Sequence, residues 1–169
     1  MGDWPQLVGC VAVDLGEEVV FVDPLVTEPF WPRLDELVAG RRVHVLATVA
    51  SHRRSAKEVL ERYGGTTDLP DGIVAVGVPA RETEYWLPAF RALVVGDRVI
   101  GDGQGGLRLC PESWLRGGAR PLSVAELADG LRPLLELPIE LVLVSHGEPV
   151  LSGGREALGR ALSSRGDKS

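Results

Sequence analysis

Short apolar runs rich in β-branched residues alternate along the chain with stretches whose apolar positions recur at helical spacing. The runs predict strands over residues 7–13, 19–22, 43–48, 73–78, 84–87, 91–95, 98–100 and 141–144. Spacings of three and four residues predict helices over residues 31–38, 55–63, 123–135 and 153–162. This alternation is typical of a mixed α/β domain.

Local signals refine some of these elements. Ser123 stands before the third helix with Glu126 three residues later, which predicts a capping box at the helix N-terminus. The strands over 91–95 and 98–100 are expected to form a pair around Gly96 and Asp97. The sequence contains neither a repeat nor a linker, so we expect one domain over residues 1–162, followed by a polar C-terminal tail over residues 163–169.

Composition excludes several classes of protein. The chain has 169 residues, of which 44% are hydrophobic, and a net charge of −6. The acidic balance argues against nonspecific nucleic-acid binding, which needs a basic surface. No apolar run approaches the ~20 residues of a membrane-spanning helix, and we expect no signal peptide because the N-terminus has no basic and apolar leader. We therefore expect a cytoplasmic protein with no nucleic-acid or membrane partner.

The two cysteines, Cys10 and Cys110, lie far apart in the sequence and form no Cys-x-x-Cys motif. This excludes the common zinc and thioredoxin-type cysteine motifs. We expect both residues to be buried free thiols in a reducing compartment.

A glycine pattern raises the question of a nucleotide site. Gly101, Gly103 and Gly106 match Gly-x-Gly-x-x-Gly. A dinucleotide site also needs a helix that begins at the last glycine and binds the pyrophosphate. Residues 107–109 alternate like a strand instead, so a hairpin or loop is the better interpretation.

Four segments in a fixed order carry a resemblance to a known family. They are a strand ending in Asp23-Pro24, a strand leading through His52 into a helix, a strand ending in Gly96-Asp97, and the segment 141–150 with Ser145-His146-Gly147. In this order the chain resembles the metallo-β-lactamase-fold hydrolases, which include glyoxalase II-like thioesterases and lactonases. The resemblance spans about residues 7–162. It implies an α/β four-layer sandwich of the metallo-β-lactamase type, with helices outside two packed mixed sheets.

The chain departs from the family at its central signature, Thr-His-x-His-x-Asp-His. If the signature is aligned without a gap from Thr48, its ligand positions correspond to residues that are not usual metal ligands: Val49, Ser51, Arg53 and Arg54. An alignment in which this loop is two residues shorter than in the family matches His52 to the final histidine of the signature instead. The family's middle histidine is also missing, since residues 79–83 contain none.

The resemblance therefore implies a degenerate metal site. Asp97 matches the family's metal-bridging aspartate, and His146 matches one of its histidine ligands. One metal pocket has no histidine left, whereas the other keeps His52, Asp97 and His146. Two imidazoles and a carboxylate with an open position form the ligand set of many catalytic zinc sites. The resemblance therefore implies one zinc or other divalent ion at this set, and hydrolysis of a small ester, thioester or lactone.

Charged residues beside this pocket are candidates for substrate binding. Arg53 and Arg54 stand at the start of the helix after His52, where free backbone N–H groups attract anions. Arg81 and Glu82 stand near the position of the missing middle histidine. The sequence identifies no catalytic residue.

The missing ligands keep a second hypothesis open. A chain that has lost most of the family's ligands can also be a catalytically inactive binding or assembly protein that retains the fold. That protein would bind no metal, and its partner would be another protein instead of a small-molecule substrate. The sequence leaves the choice between the two open, together with the question of a homo-oligomer.

Overall fold

The computed structural model of the chain describes residues 7–116 and 121–164. The strands in these ranges are β1 (Val11–Asp14), β2 (Glu18–Val22), β3 (Arg42–Leu46), β4 (Val74–Val78), β5 (Glu82–Leu87), β6 (Ala92–Val95), β7 (Val99–Gly101), β8 (Leu107–Leu109) and β9 (Leu141–Val144). The helices are α1 (Trp31–Val38), α2 (Ala56–Tyr63), α3 (Val124–Leu131) and α4 (Gly154–Ser163). None of the helices that the structure describes is long and apolar enough to cross a membrane.

The strands form two mixed sheets and a separate hairpin. In the first sheet, β2 lies between an antiparallel β1 and a parallel β3. The second sheet has the order β4-β5-β6-β9, in which the β6–β9 pair is parallel and the other pairs are antiparallel. The hairpin consists of β7 and β8, as the interpretation of the glycine-rich segment between them predicts.

Apolar clusters separate the layers of the molecule. On β2, Val19 and Phe21 pack with residues of α1 and α2, whereas Val20 and Val22 pack with residues of the second sheet. Because side chains alternate along a strand, a strand covered on both faces is apolar throughout. The second sheet repeats this arrangement, with one face on the first sheet and the other on α3 and α4. The result is the predicted four-layer αββα sandwich.

Most predicted elements are present with boundaries shifted by a few residues. α1 and β9 have the predicted bounds. α3 ends at Leu131, and a 3-10 turn follows that contains Pro133, whose ring nitrogen has no N–H for an α-helical hydrogen bond. The capping box is confirmed, since Ser123 Oγ accepts the N–H of Glu126 while the Glu126 carboxylate accepts the N–H of Ser123.

Two strand predictions are wrong. β6 and β7 do not pair with each other, because β5 and β9 already occupy both edges of β6, and β7 pairs with β8. β1 begins at Val11 instead of Leu7, because Val8 forms an isolated bridge to His146, which follows β9. Of the predicted tail, Ser163 belongs to α4, and residues 165–169 lie outside the described residues.

The cysteine prediction is confirmed in one part and wrong in the other. Cys10 and Cys110 are both free thiols, and Cys110 is buried. Cys10 is exposed, because it lies where the chain turns from the bridge at Val8 into β1.

Candidate metal centre

Two histidines and an aspartate meet at one edge of the sandwich. His52 lies in the 3-10 turn after β3, while Asp97 and His146 follow the parallel strands β6 and β9. Asp97 Oδ1 lies 3.0 Å from His52 Nε2 and 3.1 Å from His146 Nε2. The three candidate ligand atoms all lie within 4.8 Å of one another. The structure thus brings together the three residues that the sequence singled out, from both sheets.

A second acidic residue, Asp23, binds the other ring nitrogen of His52. Its carboxylate Oδ2 lies 2.8 Å from His52 Nδ1, and the residue is 1% exposed. The hydrogen bond fixes the orientation of the ring, so that Nε2 faces Asp97. Sequence reasoning placed Asp23 only at the end of a strand and did not count it among the site residues.

Asp23 also connects the ends of three strands. Its carboxylate oxygens accept the backbone N–H of Thr48 at 2.7 Å and the Thr48 hydroxyl at 2.6 Å. They further accept the Ser145 hydroxyl at 2.8 Å. Asp23 has a φ of 52°, an uncommon value for a residue other than glycine. This turn after β2 directs the carboxylate into a network that joins β2, β3 and β9.

The electrostatics of the cluster follow from these contacts. Burial acts to lower the pKa of His52, but the hydrogen bonds to Asp23 and Asp97 outweigh it and raise that pKa to about 9. Burial acts to raise the pKa of Asp97, but the hydrogen bonds from His146 and His52 hold it well below its usual value. Without a metal, His52 is therefore protonated at neutral pH and bonded to two carboxylates.

The ring of Trp114 packs beside the ring of His146. The two ring centroids are 5.6 Å apart at an interplanar angle of 70°, an edge-to-face contact. The His52 and His146 rings are also edge-to-face, with centroids 5.7 Å apart. His146 is thus packed between two rings and directed at Asp97.

The predicted substrate-binding arginines lie near this edge but do not join the cluster. Arg53 lines a groove of about 600 Å³ between α2 and β3. Arg54 Nη1 donates to the Gly9 carbonyl at 3.5 Å. Arg81 is exposed, with a φ of 59°. Among the described residues, no hydrogen bond or ion pair joins these three arginines to the two histidines or the aspartate.

Glu82, the fourth predicted substrate-binding residue, lies beneath Asp97. It is 2% exposed. Its two carboxylate oxygens accept the backbone N–H groups of Asp97 and Arg98, at 3.0 and 3.1 Å. A carboxylate so buried and so bonded is placed to support the site and not to contact a substrate.

The donor set fits a divalent metal ion. Ligands held about 2.1 Å from one ion in tetrahedral geometry lie about 3.4 Å apart, close to the separations of 3.0 and 3.1 Å around Asp97 Oδ1. The buried carboxylate on His52 Nδ1 is a partner that metal-ligating histidines commonly have. As the cluster has three candidate ligands in the described part of the chain, a fourth position remains for water or substrate.

Comparison with solved structures identifies the fold. TTHA1623 in a di-iron-bound form matches with a TM-score of 0.64 at 16% identity, over 96% of this chain and 96% of that one. A metallo-β-lactamase from Pontibacter korlensis matches with a TM-score of 0.60 at 16% identity, over 94% of this chain and 88% of that one. The mono-zinc form of the metallo-β-lactamase FIM-1 from Pseudomonas aeruginosa matches with a TM-score of 0.51 at 12% identity, over 92% of this chain and 83% of that one. Neither a protein-family profile nor a curated protein sequence matches the chain.

The chain therefore has the metallo-β-lactamase fold. This agrees with the resemblance in the sequence. At 12–16% identity the comparisons establish the fold alone, so the argument for function depends on the side chains of this chain.

Proposed function

We propose that this protein is a hydrolase-like member of its fold class that holds one divalent metal ion through His52, Asp97 and His146. Its reaction is the hydrolysis of a small ester, thioester or lactone. The observation that carries the proposal is the orientation of His52, whose Nδ1 is bonded to the buried Asp23 while its Nε2 lies 3.0 Å from Asp97. A histidine that ligates a metal commonly has such a carboxylate behind it. Zinc and iron forms among the structural matches support metal binding.

Each residue has a defined part in this proposal. Asp23 keeps the proton of His52 on Nδ1 and leaves the lone pair of Nε2 for a metal. Asp97 supplies the negative charge, and His146 supplies the second imidazole. A bound divalent ion would lower the pKa of a coordinated water and polarise the substrate carbonyl.

In this proposal the three arginines lie around the metal cluster and attract the substrate. Arg53, Arg54 and Arg81 give the edge of the cluster positive charge, which attracts an anionic group of the substrate. Arg53 also lines the groove of about 600 Å³ beside α2, whose lining residues do not include the three candidate ligands. The protein works in the cytoplasm in this proposal, with a small-molecule substrate and neither nucleic acid nor membrane as a partner.

A second candidate function is that of a catalytically inactive binding or assembly protein. One observation favours it: Asp97 Oδ1 is already within hydrogen-bond distance of both histidines. The charge of Asp97 is therefore compensated inside the protein even without a cation. In this case the cluster stabilises the sandwich edge, and the function lies in a surface that binds a protein partner.

Metal content and hydrolysis distinguish the two candidates. Protein purified without chelator or affinity metal is expected to contain about one zinc or iron per chain by elemental analysis. It is also expected to hydrolyse simple esters or lactones until a chelator is added. Asp97→Ala should lose the metal and the activity, because the site then has only two ligands. Asp129→Ala is the matched control, since Asp129 is an exposed residue of α3 whose side-chain partner is Arg132. Wild-type protein that contains and takes up no metal contradicts the proposed hydrolase.

A further inference from the structure

Two glutamates of β5 are buried beneath the turn that carries Asp97. Glu82 is 2% exposed and Glu84 is 0% exposed. They lie two residues apart on one strand, so both side chains point to the same face of the sheet. Glutamate is almost never fully buried unless it is paired, and two such residues side by side need partners that compensate their burial.

These partners are three consecutive backbone N–H groups after β6. Glu84 Oε2 accepts the N–H of Gly96 at 3.2 Å. Glu82 Oε2 accepts the N–H of Asp97 at 3.0 Å, and Glu82 Oε1 accepts the N–H of Arg98 at 3.1 Å. Both oxygens of the Glu82 carboxylate are used, one for each neighbouring amide. The bonds fix the backbone at the residue whose side chain meets the two histidines.

Gly96 allows the turn to lie this close to the glutamates. A Cβ at this position would be 2.9 Å from Glu82 Cδ and 2.5 Å from Thr48 Oγ1, and side chains essentially never approach so closely. Thr48 in turn holds Asp23. The backbone before Asp97 is therefore enclosed by Glu82 on one side and by the network behind His52 on the other.

Glu82 also reaches the second histidine through two intermediates. Arg98 Nε lies 3.5 Å from Glu82 Oε2, and Arg98 Nη1 donates to the Trp114 carbonyl at 3.4 Å. The Trp114 ring makes the edge-to-face contact with His146 described above. One buried carboxylate thus supports Asp97 directly and His146 through Arg98 and Trp114.

We propose that Glu82 is a positioning residue for the metal site, which sets the approach of Asp97 to the ion. This inference rests on the proposed function, because it assigns Glu82 a role in metal affinity as well as in folding. Glu84 is outside this role, because it accepts the N–H of Gly96 and not that of Asp97 or Arg98.

The two glutamates provide a matched pair of isosteric variants. Glu82→Gln replaces one of two acceptor oxygens by an NH₂ group that faces a backbone N–H, so one of the two amides loses its partner. Glu84→Gln keeps an oxygen for Gly96. We expect Glu82→Gln to raise the Kd for Co²⁺ about 10–100-fold, as is typical for loss of a partner behind a ligand. The visible absorption of bound Co²⁺ should also change, whereas Glu84→Gln should leave both the Kd and the spectrum as in wild type. An unchanged Kd and spectrum for Glu82→Gln overturn the inference.

A measurement on the wild-type protein tests the same geometry without any variant. If Glu82 holds the amides of Asp97 and Arg98, their hydrogen exchange is slow in the metal-free protein. Exchange at the rate of an exposed loop overturns the positioning role even if Glu82→Gln fails to fold. A wild-type protein that shows slow exchange and binds no Co²⁺ contradicts the proposed hydrolase instead, so the two failures are distinguishable.

Discussion

Glu84 shows at the scale of one residue how strongly the environment of the site differs from water. Burial is the largest cause that raises the pKa of Glu84 well above its usual value, and the neighbouring Glu82 carboxylate raises it further. Burial also raises the pKa of Glu82, although the hydrogen bond with the Glu84 side chain, the backbone N–H groups of Arg98 and Asp97 and the charge of Arg98 act against this. Burial therefore favours the protonated form of Glu84 more strongly than that of Glu82.

The raised pKa of Glu84 predicts how the stability of the protein depends on pH. Between its usual pKa and its raised pKa in the folded protein, Glu84 binds more protons in the folded state than in the unfolded state. The free energy of unfolding then falls as pH rises, by at most about 1.4 kcal/mol per pH unit from this residue. Glu84→Gln removes the titration, so the variant should gain stability relative to wild type with each step in pH above ~4.5.

Denaturant unfolding of both proteins at several pH values measures this difference. Glu61→Gln on α2 is a suitable control, because Glu61 is an exposed residue paired with Lys57 in an i,i+4 contact. A difference between Glu84→Gln and wild type that is constant from pH 5 to pH 8 would show that Glu84 is ionised throughout in the folded protein.

At the scale of elements, helix propensity and packing act in opposite directions on the glycines of α3 and α4. Alanine is favoured over glycine inside a helix by about 1 kcal/mol. At Gly130 of α3, however, a Cβ would clash with the ring of Pro79, in the turn between β4 and β5. At Gly159 of α4, the nearest atom is Leu135 Cδ2 at 3.9 Å.

The two positions predict opposite effects of the same substitution. Gly159→Ala should raise the free energy of unfolding by roughly 0.5–1 kcal/mol. Gly130→Ala should lower it by about 1–3 kcal/mol, because the added methyl group displaces α3 from Pro79. Equilibrium unfolding in urea measures both. Equal stabilisation by the two variants would show that α3 does not pack on the β4–β5 turn.

At the scale of the whole molecule, the site exists only when both sheets are packed. Asp23 and His52 belong to the first sheet and its following turn, whereas Asp97 and His146 follow strands of the second sheet. The unfolded chain does not hold these residues together, so an ion at the proposed site would bind the folded protein selectively. Metal binding would thereby be linked to global stability.

Zinc should therefore raise the melting temperature of the wild-type protein. At a free zinc concentration of 100 Kd the gain is about 2.7 kcal/mol, which corresponds to roughly 5–10 °C for a domain of this size. Asp97→Ala should show no such shift. Ca²⁺ serves as the control ion, because it prefers six to eight oxygen ligands over imidazole nitrogen. A melting temperature that does not change when zinc is added supports the hypothesis of an inactive binding or assembly protein.

The hydrophobic pattern by itself determined most of the secondary structure, and the resemblance that rests on it implied the four layers and the three candidate ligands. Strands such as β6 and β9 are apolar on both faces because layers cover them on both sides, and this is visible in a short stretch of sequence. His52, Asp97 and His146 were identifiable because each follows a strand in the order that the resemblance requires. The pairing of β7 with β8 instead of β6 was not visible, since which edge of a strand is free depends on the rest of the sheet.

Only the tertiary structure decided which buried polar groups lie around the candidate ligands. Asp23 accepts a hydrogen bond from Ser145, 122 residues further along the chain. From the sequence, the charged residue Glu82 was expected to bind substrate. In the structure its carboxylate oxygens accept the backbone N–H groups of Asp97 and Arg98 instead. The periodicity of apolar residues indicates whether a position is buried, because burial repeats with the period of the helix or strand. It does not record which distant donor meets a buried carboxylate, because that is set by how the two sheets pack against each other.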